Sequence, residues 1–253
     1  MSKMSFEIDF ERLTPNNPNN PTLVFIHGAG GDKTQWEFQK NYFSSQDFGV
    51  IVLSLPGHGD SSRVKTININ GYVQFLYDFL QPLRINKIIL VGHSMGGAII
   101  QQFMLEHNDL NVEKLVLIGT GAKLGVAPYV FEMIENDFEN AMKLMGDFVF
   151  TENTPKQLKK DNEEVLVRNG KKVIIEDFNT CQEFDIRSEL KEITKPTLII
   201  CGVEDKLTPS KFSSFLHENI PYSEIFIIPD SSHFVMQEKS DKVNELIQNW
   251  ILK

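Results

Sequence analysis

Six short stretches of the chain are continuously apolar and bounded by polar residues: 23–26, 50–53, 88–91, 115–118, 198–201 and 225–228. Runs of this length without alternation predict strands buried on both faces, as in a parallel sheet. Residues 5–12 behave differently. There Phe6, Ile8 and Phe10 alternate with Glu7, Asp9 and Glu11, the period of a strand with one wet face, which predicts an edge strand. Helical spacing falls between the apolar runs: at Trp36, Phe38, Tyr42 and Phe43; over 71–83 through Val73, Leu76 and Leu80, with Pro82 near its end; and over 243–251 through Val243, Leu246, Ile247 and Trp250. Strands alternating with helices predict an α/β fold, a mostly parallel central sheet with helices on both faces. Right-handed crossovers then bring the strand-to-helix loops to one edge.

Residues 121–192 interrupt this alternation. They contain no strongly apolar run, although 173–175 could form a short strand. Phe131, Ile134, Phe138, Met142 and Met145 recur every three to four residues and predict one helix with an aromatic and sulfur-rich face. That face either packs a small local core or lines an apolar pocket.

The sharpest local signal follows residues 88–91, where Gly92-His93-Ser94-Met95-Gly96 fits the G-x-S-x-G pattern. Such a turn from strand to helix holds its serine in a strained backbone conformation, and a Cβ at Gly92 or Gly96 would collide with the neighbouring chain. The serine hydroxyl is left clear of the sheet, beside the positive end of a helix beginning near Met95. Gly97, Ala98, Ile99 and Phe103 run from small to bulky, as close packing of that helix on a sheet requires.

With this turn in a βα context the chain resembles the α/β-hydrolase family, and the resemblance covers most of its length. It implies a core formed by 1–120 and 193–253 with a small helical cap inserted at 121–192. It also implies a serine nucleophile at Ser94. The loop His27-Gly28-Ala29-Gly30-Gly31 after the strand at 23–26 matches the family's oxyanion loop, so the backbone N–H groups of Ala29 and Met95 are the implied oxyanion donors.

A serine needs a base, and the base needs a group to fix its tautomer. Of the six histidines, His27, His58 and His93 sit in glycine-bordered turns whose backbone roles explain them, and His107 and His217 lie among polar residues on predicted helices, as surface positions. His233 follows the strand at 225–228 through Pro229-Asp230-Ser231-Ser232, which places it on the same sheet edge as Ser94 and matches the family's base. The acid is expected from the loop after 198–201, which carries Glu204 and Asp205. Adjacent residues point in different directions, so only one can face His233. Asp205 is preferred, with Glu204 the alternative. The order Ser94, Asp205, His233 is that of α/β-hydrolases. The loop 119–122, from which some members draw the acid, has no carboxylate.

The resemblance implies a serine hydrolase acting on carboxylic esters or related acyl bonds of small, partly apolar substrates. Serine at position 94 argues against dehalogenase chemistry, which uses aspartate. Carbon–carbon bond hydrolysis, peptidase, lyase or cofactor-free peroxidase chemistry remain open, as does a small-molecule receptor that retains the three residues.

Composition narrows the remaining choices. With 253 residues, 41% of them hydrophobic, the chain can bury one full-size α/β core. A formal net charge of −9 argues against nucleic acid or an anionic membrane surface as partner. Two cysteines, one ending an apolar run, argue against a disulfide framework and for a reducing cytoplasm. No stretch has the length of a membrane span or the pattern of a signal peptide. Residues 28–34 end in Lys33-Thr34 after glycines, but a phosphate-binding loop would need glycines where His27 and Asp32 stand. The histidines, cysteines and acids form no spaced metal set. Neither cofactor nor metal is implied.

Overall fold

The computed structural model describes residues 6–64 and 67–253. Its centre is a seven-stranded sheet. The strands are β1 (Phe10–Leu13), β2 (Thr22–Ile26), β3 (Gly49–Leu53), β4 (Ile88–His93), β5 (Val112–Ile118), β6 (Thr197–Gly202) and β7 (Ser223–Ile228), in the spatial order β1-β3-β2-β4-β5-β6-β7. β1 runs antiparallel to β3, and every other pairing is parallel.

The unbroken apolar runs have a simple cause. Alternate residues of each central strand enter different cores: Ile88 and Leu90 pack on one face, Ile89 and Val91 on the other. The first face is covered by α2 (Ile69–Leu80), α3 (Met95–Glu106) and α8 (Ser210–Asn219) through residues such as Leu76, Phe103 and Leu216. Helices α1 (Glu37–Ser45), α9 (Val235–Glu238) and α10 (Ser240–Ile251) cover the second through Phe43, Val235, Val243, Ile247 and Trp250.

Two strands depart from the sequence expectation. The first is ordered as a ladder only from Phe10, and Ser5 lies outside the described residues. Ahead of it, the amides of Glu7 and Asp9 donate to the hydroxyls of Ser62 and Ser61, and their carbonyls accept from Ser62 and Ser54. The segment thus lies along the loop after β3 instead of extending the strand. At the other edge, β7 is not buried on both faces. Ile227 is 43% exposed on this edge strand, which pairs with β6.

Between β5 and β6 lies a helical insertion: α4 (Pro128–Asn136), α5 (Phe138–Phe148), α6 (Lys156–Asn169) and α7 (Lys171–Glu183). The single helix expected through Phe131 to Met145 is two. Asp137, extended at φ −152°, breaks it and caps α5 by accepting from the Asn140 amide at 3.2 Å. Its apolar face divides: Ile134 and Met142 enter a core with Leu166, Ile174 and Phe178, while Met145 lines a cavity. Residues 173–175, expected as a short strand, lie inside α7. Val173, Ile174, Asp177, Phe178 and Cys181 form its buried stripe at helical spacing, which outweighs the strand preference of three β-branched residues. Both cysteines are free and buried, and among the described residues no helix is long and apolar enough to cross a membrane.

Candidate active site

Four loops at the carboxyl ends of β2, β4, β6 and β7 converge on one cavity of about 520 Å³, roofed by the insertion. Ser94 and His233 line its floor, with Val130, Met133, Met145 and Phe148 among the apolar groups above.

Ser94 ends β4 and caps α3 with φ 51° and ψ −116°, a left-handed strained conformation held by its surroundings. Its amide donates to the Ile118 carbonyl at 3.0 Å, and its carbonyl accepts from the Thr120 hydroxyl at 2.8 Å. The flanking glycines are sterically required. A Cβ at Gly92 would lie 2.4 Å from the Gly96 carbonyl oxygen, and one at Gly96 would lie 2.3 Å from that of Ile26. Among the described residues the Ser94 hydroxyl has no hydrogen-bond partner. It makes no hydrogen bond to His233; catalytic hydrogen bonds of this kind often tighten only in the reacting complex.

His233 is 3% exposed, and its Nδ1 lies 2.9 Å from Asp205 Oδ2. Asp205 Oδ1 also accepts the amides of Leu207 and Thr208 at 2.9 and 2.8 Å, and Oδ2 accepts the Thr208 hydroxyl at 2.7 Å. Burial works to raise this carboxyl, but the facing imidazole and the donors outweigh it and hold Asp205 well below the usual carboxylate range. An ionised carboxylate can only accept, so the proton sits on Nδ1 and the Nε2 lone pair is left for the cavity. Glu204, the alternative acid, is exposed; only its backbone engages this loop, accepting from the Ser232 hydroxyl at 3.2 Å.

In the glycine loop after β2, Gly28 N–H donates to Gln35 Oε1, Gly30 N–H to Asp177 Oδ2 and Gly31 N–H to the Gly28 carbonyl. Among the described residues, the Ala29 N–H alone in this stretch has no acceptor. Met95 is the first residue of α3, so its N–H has no intrahelical acceptor. Among the described residues, neither expected donor has an acceptor.

The three turn histidines, His27, His58 and His93, are also held through their rings. His93, 1% exposed, places Nε2 3.0 Å from the His233 carbonyl and Nδ1 3.0 Å from Gln35 Nε2. A carbonyl only accepts, so Nε2 carries the proton. Burial, then the charge of His233, pushes His93 well below the usual range and keeps it neutral. His27 Nε2 accepts the Leu55 amide at 2.9 Å, and burial followed by the nearby His58 lowers it to about 4. His58 reaches Asp177 of the insertion at 2.8 Å. His107 is half-buried, not a surface residue: it follows the last residue of α3 and stacks on Tyr77 at 4.2 Å, whereas His217 is exposed. Sequence reasoning passed over Gln35 and Asp177. A carboxylate amid Val173, Ile174, Phe178 and Cys181 on one helical stripe was the available signal for Asp177.

A thermophilic esterase of known structure is 30% identical, superposes with a TM-score of 0.82 and is covered over 98% of its length by 97% of this chain. An esterase from Exiguobacterium antarcticum, 24% identical, shares the fold with a TM-score of 0.92 over 98% of this chain and 96% of its own. The 2-hydroxy-6-oxononadienedioate/2-hydroxy-6-oxononatrienedioate hydrolase of Burkholderia vietnamiensis is 28% identical over 256 residues, 92% of this chain and 87% of that protein. The family model described as "Alpha/beta hydrolase family" matches residues 23–246, from the second strand into the last helix, and with the serine turn and sheet order above the chain belongs to the alpha/beta hydrolase family.

Proposed function

We propose that the protein is a serine hydrolase that cleaves carboxylic esters, or related acyl bonds, of small and partly apolar substrates through an acyl-enzyme on Ser94. Ser94 Oγ attacks the carbonyl carbon as His233 Nε2 takes its proton. The resulting imidazolium is stabilised by the ionised Asp205, and the N–H groups of Ala29 and Met95 receive the negative oxygen. Collapse expels the alcohol, which leaves with the proton from Nε2. Water then repeats the sequence on the acyl group and restores the serine. The insertion acts as a cap whose apolar residues receive the acyl or alcohol part. Two free buried cysteines favour a cytoplasmic setting.

The observation that carries this reading is the pinned His233–Asp205 pair, at 2.9 Å, opening on the cavity that Ser94 also lines. Carbon–carbon bond hydrolysis by the same residues is the second reading, favoured by similarity to the oxononadienedioate hydrolase. A panel of aryl esters graded by acyl length, with Ser94→Ala alongside, tests the proposal. Ser94→Ala should lose on the order of 10⁴ or more of kcat, and a fluorophosphonate should label the parent protein but not the variant. Near-normal ester turnover by Ser94→Ala would refute the reading. Stoichiometric labelling with negligible turnover of every ester would favour the second reading.

A further inference from the structure

The insertion grips the loop that carries Ala29. Asp177 on α7 has no exposed surface, and both its oxygens are spent on the core of the molecule. Oδ2 accepts the Gly30 N–H at 2.7 Å and faces His58 Nε2 at 2.8 Å, while Oδ1 accepts the Tyr72 hydroxyl at 2.7 Å. Asn169, the last residue of α6, donates Nδ2 to the Gly30 and Gly31 carbonyls, each at 2.8 Å, and its Oδ1 accepts the Gly59 N–H at 2.9 Å. Gly30 itself has φ +68°, and a Cβ there would come within 2.3 Å of Ile174 and 2.6 Å of Leu166, both on the insertion.

These contacts bear on Ala29 through one peptide plane. The Ala29 N–H shares its plane with the Gly28 carbonyl, which lies 2.8 Å from His27 Nδ1 and accepts the Gly31 N–H at 3.1 Å. Gly31 is in turn placed by Asn169, and Gly30 by Asn169 and Asp177 together. Releasing Asn169 frees both Gly30 and Gly31, and releasing Asp177 frees Gly30, loosening the turn that fixes the direction of that N–H. An oxyanion donor acts through its direction, so a small rotation is enough to weaken it.

We propose that Asp177 and Asn169 are positioning residues for the oxyanion loop: by holding Gly30 at its N–H and its carbonyl, the docked insertion sets the direction of the Ala29 N–H. Transition-state stabilisation then depends on how the insertion is seated. The proposal rests on Ala29 as an oxyanion donor, the reading given above.

Asp177→Asn and Asn169→Ala test it, with Glu176→Gln as control. Glu176 pairs with Arg63 at 2.7 Å across the same junction but touches nothing in residues 28–31. Three measurements are made on each: ester kinetics, affinity for a trifluoromethyl ketone whose adduct with Ser94 carries an oxyanion, and hydrogen exchange of the peptide spanning 23–36. Asp177→Asn and Asn169→Ala should lower kcat by about 10- to 100-fold with KM changed less than threefold. Ketone affinity should fall in parallel, and the loop should exchange faster. Glu176→Gln should match the parent protein in all three. Unchanged exchange in both variants would overturn the latch whatever the activity, so this outcome is separate from failure of the ester reading. Faster exchange with unchanged kcat and ketone affinity would overturn its link to catalysis. If Asp177→Asn does not fold, the half-exposed Asn169→Ala decides alone.

Discussion

Two buried carboxylate–imidazole pairs, one at the cavity and one on the glycine loop after β2, differ in one respect. Asp205–His233 and Asp177–His58 are bonded at 2.9 and 2.8 Å, and all four side chains are nearly inaccessible. His58 has spent both nitrogens, since Nδ1 lies 3.2 Å from the Pro56 carbonyl. Burial works against charge on both partners, yet the mutual attraction wins: His58 is raised and Asp177 lowered from their ordinary values. With acceptors at both nitrogens, the imidazolium is the form that satisfies its site, and the pair is a closed electrostatic tie. His233 has spent only Nδ1 and turns Nε2 to the cavity. Under the proposed function, the same two residue types serve as chemistry or as architecture according to what the second nitrogen meets.

The largest expected effect separates the pairs by activity. Asp205→Asn should lose on the order of 10⁴ of kcat, and Glu204→Gln should be mild. The reverse outcome in steady-state kinetics would move the acid by one residue. Next comes stability. His58→Ala leaves Asp177 as an uncompensated buried charge and should cost about 3–5 kcal/mol in urea unfolding, with a far smaller fall in kcat than Asp205→Asn. Equal losses of activity in the two variants would erase the distinction drawn above.

The smallest effect is in pH. His27 is lowered to about 4 when folded and regains an ordinary value near 6.5 when unfolded, so below pH 6.5 the unfolded chain binds the extra proton first. Its contribution is fully present above pH 6.5 and is lost as the pH falls toward 4, by up to about 3 kcal/mol. His93 acts with the same sign. His58, raised in the fold, has the opposite sign: its contribution is present below pH 6.5 and lost as the pH rises through its folded value. Urea midpoints between pH 4 and 9 should therefore fall toward acid in the parent protein, and the acid limb should be shallower in His27→Gln.

What the sequence disclosed followed from local rules. Strands buried on both faces read as unbroken apolar runs, and a serine between two glycines fixes its own turn. Asp205 and His233 were legible because the topology sends their loops to the edge that holds Ser94. The insertion was visible only as a loss of alternation. Its helices answer to each other and not to a sheet, so Asp137, which interrupts one run of helical spacing, and 173–175, which imitate a strand, both misled. Asp177 and Gln35 depend on partners more than fifty residues away, and no periodicity records such pairings.

The placement of the insertion also bears on how such a molecule can be rebuilt. β5 and β6 are hydrogen-bonded neighbours although the whole insertion separates them in the chain, and lengthening a connection raises its closure entropy only logarithmically. The sheet would therefore accept a foreign roof of quite different size. A graft chosen for the shape of its pocket alone would still lack an acceptor for the Gly30 amide and a donor for its carbonyl, and by the proposal above the chimera would fold well yet turn over more slowly than its parent.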